Sequence, residues 1–200
     1  DDIIKEIDWA DCIIFGPGLN SSIHGSSWMS DILSYINIPL VLDATGFNPL
    51  IEGLINIKSL PKKTILTPHY GEFSKIFQID LNYLKKNLIK VVRDIIPKLD
   101  SRVLILKGPT TLIVSSKGDV FLINNNANSL STAGSGDVLS GILGALILKG
   151  LSLDNVALLG VFLHSECVHQ YYNIIADDGL SALDLPGLIP HALKRIKNAN

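Results

Sequence analysis

A run of small residues directly before a strongly apolar segment is the part of the sequence best suited to chemistry. Residues 131–141 read Ser-Thr-Ala-Gly-Ser-Gly-Asp-Val-Leu-Ser-Gly, and the segment 138–148 has the composition of a buried helix. The free N–H groups at a helix start, together with the positive end of the helix dipole, bind phosphate oxygens when small side chains let an anion approach. We therefore predict that Gly134 and Gly136 lie in a phosphate-binding turn.

Asp137 lies in the same turn, where a carboxylate would be repelled by a bound phosphate. Its position suits another role, because an acid there can accept the proton of a substrate hydroxyl while backbone donors hold a phosphoryl group in transit. The alternative is structural: the glycines would only shape a turn, and Asp137 would cap the helix. Asp137 is thus our candidate catalytic base.

Two further polar segments stand where buried strands are expected to end. A loop with one cation and two hydroxyls follows the apolar residues 103–106, and a histidine follows the strand-like residues 64–67. In open α/β sheets ligands bind at the carboxyl ends of strands, so both segments are candidates for ligand contact. Each also has a structural alternative, as a solvated lysine in a tight turn or as a hydrogen-bonded loop histidine. The residues concerned are Lys107, Gly108, Pro109, Thr110, Thr111 and His69.

Short β-branched and leucine-rich runs alternate with longer segments of helical spacing, which is typical of a mostly parallel sheet with helices on both faces. The fold class is therefore α/β. The predicted strands are 12–15, 40–43, 64–67, 103–106, 111–114 and 120–123. A short polar turn separates the last two, which are predicted to form a hairpin. The predicted helices are 26–36, 71–77, 81–96, 136–149, 153–172 and 186–197.

The composition argues against several classes of partner. Seventeen basic and nineteen acidic residues give a net charge of −2, which provides no electrostatic footprint for nucleic acid or an anionic membrane. Cys12 and Cys167 stand in apolar surroundings and are interpreted as free thiols, as in a reducing cytoplasm. The apolar run 138–148 is too short to span a bilayer. We therefore expect a small-molecule ligand and a cytoplasmic location.

Three other motifs do not meet the requirements of the sites they resemble. The Gly-Pro-Gly of residues 16–18 lacks the third glycine of a dinucleotide fingerprint, and its proline removes a backbone donor. No Gly-Lys-Ser/Thr sequence is present, which argues against a Walker A loop. Four residues on one predicted helix lack the spacing of a zincin, so no metal ligand is predicted. These four are His164, Glu166, Cys167 and His169.

Five blocks of the sequence together resemble one family in the correct order. The blocks are residues 16–19, 42–44, 66–73, 106–111 and 135–141. The Gly-Asp turn of the last block, taken alone, is shared with a wider kinase superfamily. The Thr-Pro-His-x-Gly-Glu-Phe of the third block is the discriminating motif. The chain is identified as a member of the ADP- or ATP-dependent NAD(P)H-hydrate dehydratases, within the ribokinase-like superfamily. The resemblance covers nearly the whole chain.

This resemblance implies a ribokinase-like three-layer sandwich with a C-terminal hairpin. It also implies that the protein repairs the hydrated, damaged form of NADH or NADPH, with ADP or ATP as co-substrate and with Mg²⁺. Gly18 and His69 would bind this substrate together with Asp137, which would be the catalytic residue. The residues that would bind the ADP or ATP are Lys107, Gly108, Pro109, Thr110, Thr111, Gly134 and Gly136.

Two other functions stay open on the sequence alone. A small-molecule kinase of the same superfamily, resembling hydroxyethylthiazole kinase, would leave a stable phosphorylated product. A non-catalytic nucleotide-binding protein would bind without turnover. We further expect residues 1–200 to be a single domain that lacks its N-terminal portion, because a typical family member has additional sequence before the segment that matches Ala10. A homo-oligomer is expected, with no nucleic-acid or membrane partner.

Overall fold

The computed structural model describes residues 2–20, 25–123, 132–176 and 178–198. The asparagine-rich loop at 124–129, and Ser131 at the start of the predicted phosphate-binding turn, lie outside the described residues. The expectation that residues 1–200 are a single domain lacking its N-terminal portion is not tested by this structure and stays a prediction.

Six strands in the described residues form one sheet, in which spatial order follows chain order. The first four strands run parallel, and the last three pair antiparallel. The mostly parallel sheet is as predicted. The hairpin joins its last two strands, and three helices follow it in the described residues. The strands are β1 (Ile13–Phe15), β2 (Leu40–Leu42), β3 (Thr64–Leu66), β4 (Val103–Leu106), β5 (Thr111–Val114) and β6 (Val120–Ile123).

Helices cover both faces of this sheet. Two short 3₁₀ turns, Ala44–Phe47 and Ile57–Ser59, lie between β2 and β3. The α-helices of the described residues are α1 (Asp2–Trp9), α2 (Ser27–Tyr35), α3 (Asn48–Ile51), α4 (Tyr70–Phe77), α5 (Leu81–Lys86), α6 (Leu88–Leu99), α7 (Ser135–Ile147), α8 (Leu153–Ile174) and α9 (Leu185–Asn198). None of them combines the length and apolar character that a bilayer crossing requires.

Alternating strand residues build two cores, one on each face of the sheet. Leu40 and Leu42 point to the core that contains α2 and α6, whereas Val41 between them points to the core that contains α7 and α8. Side chains alternate between the faces of a strand, so an uninterrupted apolar strand must be covered on both sides. The three-layer sandwich follows from this pattern, and it fixes α7 over the parallel strands.

The helix predicted for residues 81–96 is in fact two helices. Asn87 interrupts it with φ −127° and ψ 32°, and its side-chain amide donates a hydrogen bond to the Tyr83 carbonyl at 3.0 Å. An asparagine side chain competes in this way with the hydrogen bonds of a helix. Asn87 therefore ends α5, although the apolar spacing continues beyond it. Helices α1 and α3 were not predicted.

Candidate active site

The carboxyl ends of the first four strands lie side by side at one edge of the sheet. Three backbone hydrogen bonds just beyond the strand ends join the loops that follow β1 to β4. They run from the N–H of Asp43 to the Phe15 carbonyl (3.1 Å), from Thr67 to Leu42 (3.1 Å) and from Lys107 to Pro68 (2.8 Å). The loops that contain the predicted site residues are therefore held together before any side chain is considered.

The two glycines after β1 serve different purposes. Gly16 is buried at φ 123°, and a Cβ there would lie 1.7 Å from the Asp43 carbonyl oxygen. Only glycine allows the loop after β2 to approach this closely. Gly18 is exposed, and a Cβ on it would meet no described atom within 4 Å. The predicted substrate residue therefore presents an open stretch of backbone.

A buried carboxylate connects this edge of the sheet to α7. Asp43 is 1% exposed and accepts hydrogen bonds from Lys107 Nζ at 2.6 Å, from Ser140 Oγ at 2.8 Å and from the Ala44 amide at 2.9 Å. Because Lys107 follows β4 and Ser140 lies in α7, one side chain links three elements of the fold. The sequence pattern did not identify Asp43 or Ser140 as site residues. One signal was present: a carboxylate that ends an apolar strand is buried only if it is paired.

The predicted phosphate-binding turn forms the start of α7. Gly134 is the N-cap residue, with a φ of 87° that favours glycine. A Cβ on Gly136 would lie 3.2 Å from Lys107 Nζ and 3.7 Å from Asp43 Oδ2. The ammonium group therefore lies against the first turn of the helix, where the helix dipole also favours an anion.

Asp137 is the third residue of α7 and is exposed. Asp137 is not the N-cap of this helix, because that position belongs to Gly134, and no side-chain cap hydrogen bond is found among the described residues. Within the described part of the chain, the Asp137 carboxylate has no hydrogen-bond partner. It is therefore available to a ligand bound in front of the turn, although its catalytic role stays a prediction.

His69 caps α4 and lies next to Lys107. Its Nδ1 accepts hydrogen bonds from the amides of Gly71 (2.9 Å) and Glu72 (3.1 Å), and its own N–H donates to Glu72 Oε2 at 2.8 Å. A parallel bridge pairs His69 with Lys107 across the ends of β3 and β4. Since Nδ1 is used as an acceptor, a neutral ring carries its proton on Nε2. This nitrogen lies 3.5 Å from Glu72 Oε1, on a side chain that is 59% exposed.

The loop after β4 is shaped by an aromatic ring that the sequence pattern did not single out. A Cβ on Gly108 would lie 2.4 Å from the ring of Tyr70, and the Tyr70 hydroxyl donates to the Thr110 carbonyl at 3.5 Å. Burial raises the pKa of Tyr70. Pro109 is exposed, whereas Thr111 is the first residue of β5 and is buried. In the loop predicted to hold a nucleotide, Pro109 is therefore accessible to a ligand, whereas the side chain of Thr111 is not.

His164 on α8 contacts the start of α7, where the phosphate-binding turn lies. It is 5% exposed in α8 and forms a hydrogen bond with the backbone of Ser135, the first residue of α7. Burial lowers its pKa to about 4, the bond to Ser135 opposes the shift, and the charge of Lys107 adds to it. The imidazole is therefore neutral near pH 7. No described residue pairs with its Nε2.

The sequence model of the NAD(P)H-hydrate dehydratase family matches residues 1–187. The chain belongs to this family. It is 34% identical over 191 residues to the bifunctional NAD(P)H-hydrate repair enzyme Nnr of Coxiella burnetii, a match that covers 96% of this chain and 37% of that protein. A second Nnr, from Dictyoglomus turgidum, is 28% identical and matches 93% of this chain and 36% of its own length. The chain thus spans little more than a third of these curated relatives.

Solved structures agree with the family assignment. The ADP/ATP-dependent NAD(P)H-hydrate dehydratase from Bacillus subtilis, co-crystallised with ATP/Mg²⁺, has a TM-score of 0.77 and 26% identity, covering 92% of this chain and 64% of that one. A hydroxyethylthiazole kinase from Pyrococcus horikoshii has a TM-score of 0.69 at 17% identity, covering 94% and 74% of the two chains, and shows a shared fold alone. The predicted family and the ribokinase-like α/β fold are confirmed.

The carboxylates near the turn fit a magnesium ion that arrives on a nucleotide better than one held by a protein cage. Asp43 already accepts three hydrogen bonds, and no group of three potential ligands occurs in the described ranges. Mg²⁺ keeps several waters and usually takes its remaining ligands from substrate phosphates.

Glu166 on α8 has a structural role. It accepts hydrogen bonds from Gln170 and Arg195 at 2.7 and 2.8 Å, so it ties α8 to α9.

Proposed function

We propose that this chain is the dehydratase unit that converts hydrated NADH or NADPH back to the reduced dinucleotide, with ADP or ATP as phosphoryl donor. The observation that carries the proposal is the packing of Lys107 against Gly136, which sets a cation beside the amides of a helix start, with Asp137 next in sequence. This arrangement suits a phosphoryl group in transfer and a carboxylate that accepts a proton. Family membership supports the choice of substrate.

Phosphorylation would solve the chemical problem of this dehydration. Hydroxide leaves poorly, because water has a pKa of about 15.7, whereas the second pKa of a phosphate group is about 6. Asp137 would accept the proton of the ring hydroxyl. The hydroxyl oxygen would attack the terminal phosphorus of the nucleotide, and the bond from that phosphorus to the rest of the nucleotide would break. The lone pair of the ring nitrogen would then expel phosphate, and loss of a proton from the adjacent carbon would restore the double bond.

The two halves of the site divide between the two substrates. Gly18 and the Nε2–H of His69 would contact the hydrated dinucleotide. The loop from Lys107, with the turn at Gly134 and Gly136, would hold the nucleotide. Mg²⁺ on the phosphates would neutralise part of their charge. A homo-oligomeric state and a cytoplasmic location remain predictions.

The proposal is tested by the fate of phosphate. Hydrated NADH is incubated with ATP or ADP, Mg²⁺ and the natural protein that contains this chain. We expect the absorbance of reduced nicotinamide to appear together with an equal amount of inorganic phosphate. A stable phosphorylated product would instead identify a kinase, and nucleotide binding without any product would identify a sensor.

A further inference from the structure

Asp43 is the most enclosed charged group near the proposed phosphate site. Its side chain is 1% exposed, whereas that of its partner Lys107 is 23% exposed. A buried carboxylate is stable only when its oxygens are hydrogen-bonded, and here one oxygen accepts from the Lys107 ammonium and the Ala44 amide while the other accepts from Ser140. The carboxylate is therefore fully committed inside the protein.

The three donors belong to elements that must keep a fixed arrangement if a phosphoryl group is to be held. Lys107 follows β4, and Ala44 begins the 3₁₀ turn after β2. Ser140 lies four residues after Gly136, on the same face of α7. A carboxylate bound to all three keeps the ammonium beneath Gly136 and the helix start close to the strand ends. Glycine at 136 is itself part of this geometry, since a Cβ would meet Lys107 Nζ at 3.2 Å.

The charges at the turn also support a role for the pair of Asp43 and Lys107. An unpaired carboxylate 3.7 Å from the Cβ position of Gly136 would repel any phosphate on the turn. With Lys107 in place, the more exposed member of the pair is the cation, and an ammonium group has three N–H donors. Asp43 uses one of these at 2.6 Å, and it is the only partner of the ammonium among the described residues.

We propose that Asp43 is a positioning residue of the phosphate site, which holds the Lys107 ammonium beneath Gly136 and ties α7 to the strand ends through Ser140. It acts through Lys107 and touches neither substrate. The inference rests on the proposed function, because it takes the anion at the turn to be the nucleotide phosphate.

The test is a double-mutant cycle on nucleotide binding, measured by titration calorimetry with ATP and Mg²⁺. Lys107→Met removes the cation and leaves a buried carboxylate facing the phosphate, so the Kd should rise about 30-fold or more. Adding Asp43→Asn removes that carboxylate, so the double variant should bind about fivefold to tenfold more tightly than Lys107→Met alone. A double variant that binds no better than Lys107→Met overturns the inference.

Turnover supplies the second readout. Asn at 43 can still accept from Lys107 and hydrogen-bond with Ser140, whereas Ala can do neither. We expect Asp43→Asn to keep kcat about tenfold above Asp43→Ala, with ATP Kd in Asp43→Asn changed less than about threefold. Equal kcat for the two variants would contradict the positioning role. Ser140→Ala, which removes one donor, should raise the KM for ATP about threefold, and an unchanged KM would also count against it.

A matched control is available at Asp100, a second aspartate that pairs with cations in the described residues. Asp100→Asn removes a carboxylate that binds Arg102 and Lys62 far from the turn, so kcat and ATP Kd should not change. Thermal unfolding monitored by circular dichroism checks that each variant is folded. Failure of the unchanged protein to bind ATP would refute the proposed function itself, whereas normal binding and turnover with an additive cycle would refute only the role of Asp43.

Discussion

Strand β4 has an aspartate–cation pair at each end, and the two pairs are built in opposite ways. Before the strand, Arg102 is 1% exposed and lies 2.8 Å from Asp100, which is 32% exposed. After the strand, Asp43 is 1% exposed and lies 2.6 Å from Lys107, which is 23% exposed. The buried member is thus the cation at one end and the anion at the other.

The difference follows from what the cations bind. The Arg102 guanidinium donates to the backbone carbonyls of Lys58, Leu60 and Asp100, so its fork closes a loop onto the start of β4. Lys107, in contrast, has one acceptor in the described part of the chain. A cation that is shared among carbonyls holds the chain together. A cation that is partly exposed beside a helix start can still bind a ligand.

The largest effect is expected from Asp137, at the carboxyl end of β4, which pairs with no cation in the described part of the chain. Asp137→Asn removes the proposed base but keeps the size of the side chain, so kcat should fall about 100-fold to 10,000-fold. The steady-state rate of reduced nicotinamide formation measures this loss. The thermal midpoint should stay close to that of the unchanged protein, because Asp137 is exposed. Near-normal turnover would refute the assignment of Asp137 as the base.

At the other end, loss of the buried cation should reduce stability rather than activity. Arg102→Met keeps much of the side-chain volume but leaves the carbonyls of Lys58 and Leu60 without their donor, which should cost about 2–4 kcal/mol of unfolding free energy. Urea titration followed by circular dichroism measures the change. Arg102→Lys is the matched variant: it keeps the charge but loses the fork, so an intermediate loss is expected.

The decisive comparison is the specific activity of the Arg102→Met protein that remains folded. We expect its kcat to be close to that of the unchanged protein. If kcat falls as much as in the variants at the opposite end of β4, the pair of Arg102 and Asp100 is not purely structural.

The sheet could be predicted from the sequence because each strand is a short apolar run with local signals at its ends. β4, β5 and β6 begin and end at the predicted residues. Helix ends were less certain, since Asn87 broke a helix that the apolar spacing continued, and α1 and α3 were too short or too weakly marked to find. Periodicity reports which face is buried, and it reports less about where local hydrogen bonds end an element.

The site was only half visible in the sequence for a different reason. The glycine turn and Asp137 are neighbours along the chain, so their spacing alone points to a phosphate site. Asp43 is 64 residues from Lys107 and 97 from Ser140, and no local pattern joins them. Only the sheet topology, which places the ends of β2 and β4 beside α7, brings these side chains together.

The pH dependence of stability should separate the two ends of β4. Burial lowers the pKa of His164, next to Lys107, to about 4. The unfolded chain takes up this proton near pH 6.5 while the folded protein does not, so stability should fall by roughly 3 kcal/mol as the pH drops from about 6.5 to about 4. His164→Gln keeps a donor for the Ser135 backbone but does not titrate. Urea unfolding at several pH values should show a flatter profile for this variant, and an identical profile would contradict the assignment.

The smallest effect is expected from Asp100, at the structural end. Hydrogen bonds from Lys62 and Arg102 lower the pKa of this carboxyl from 3.8 to about 2. Its contribution to stability is therefore present above about pH 4 and is lost as the pH falls towards about 2. Asp100→Asn lacks this contribution at every pH, so the difference in urea midpoint between the two proteins should shrink over that range. Contributions from the rest of the chain are common to both proteins and cancel in the difference. A difference that stays constant would mean that Arg102 is held by its backbone carbonyls alone, and that only the pair at the carboxyl end of β4 depends on its aspartate.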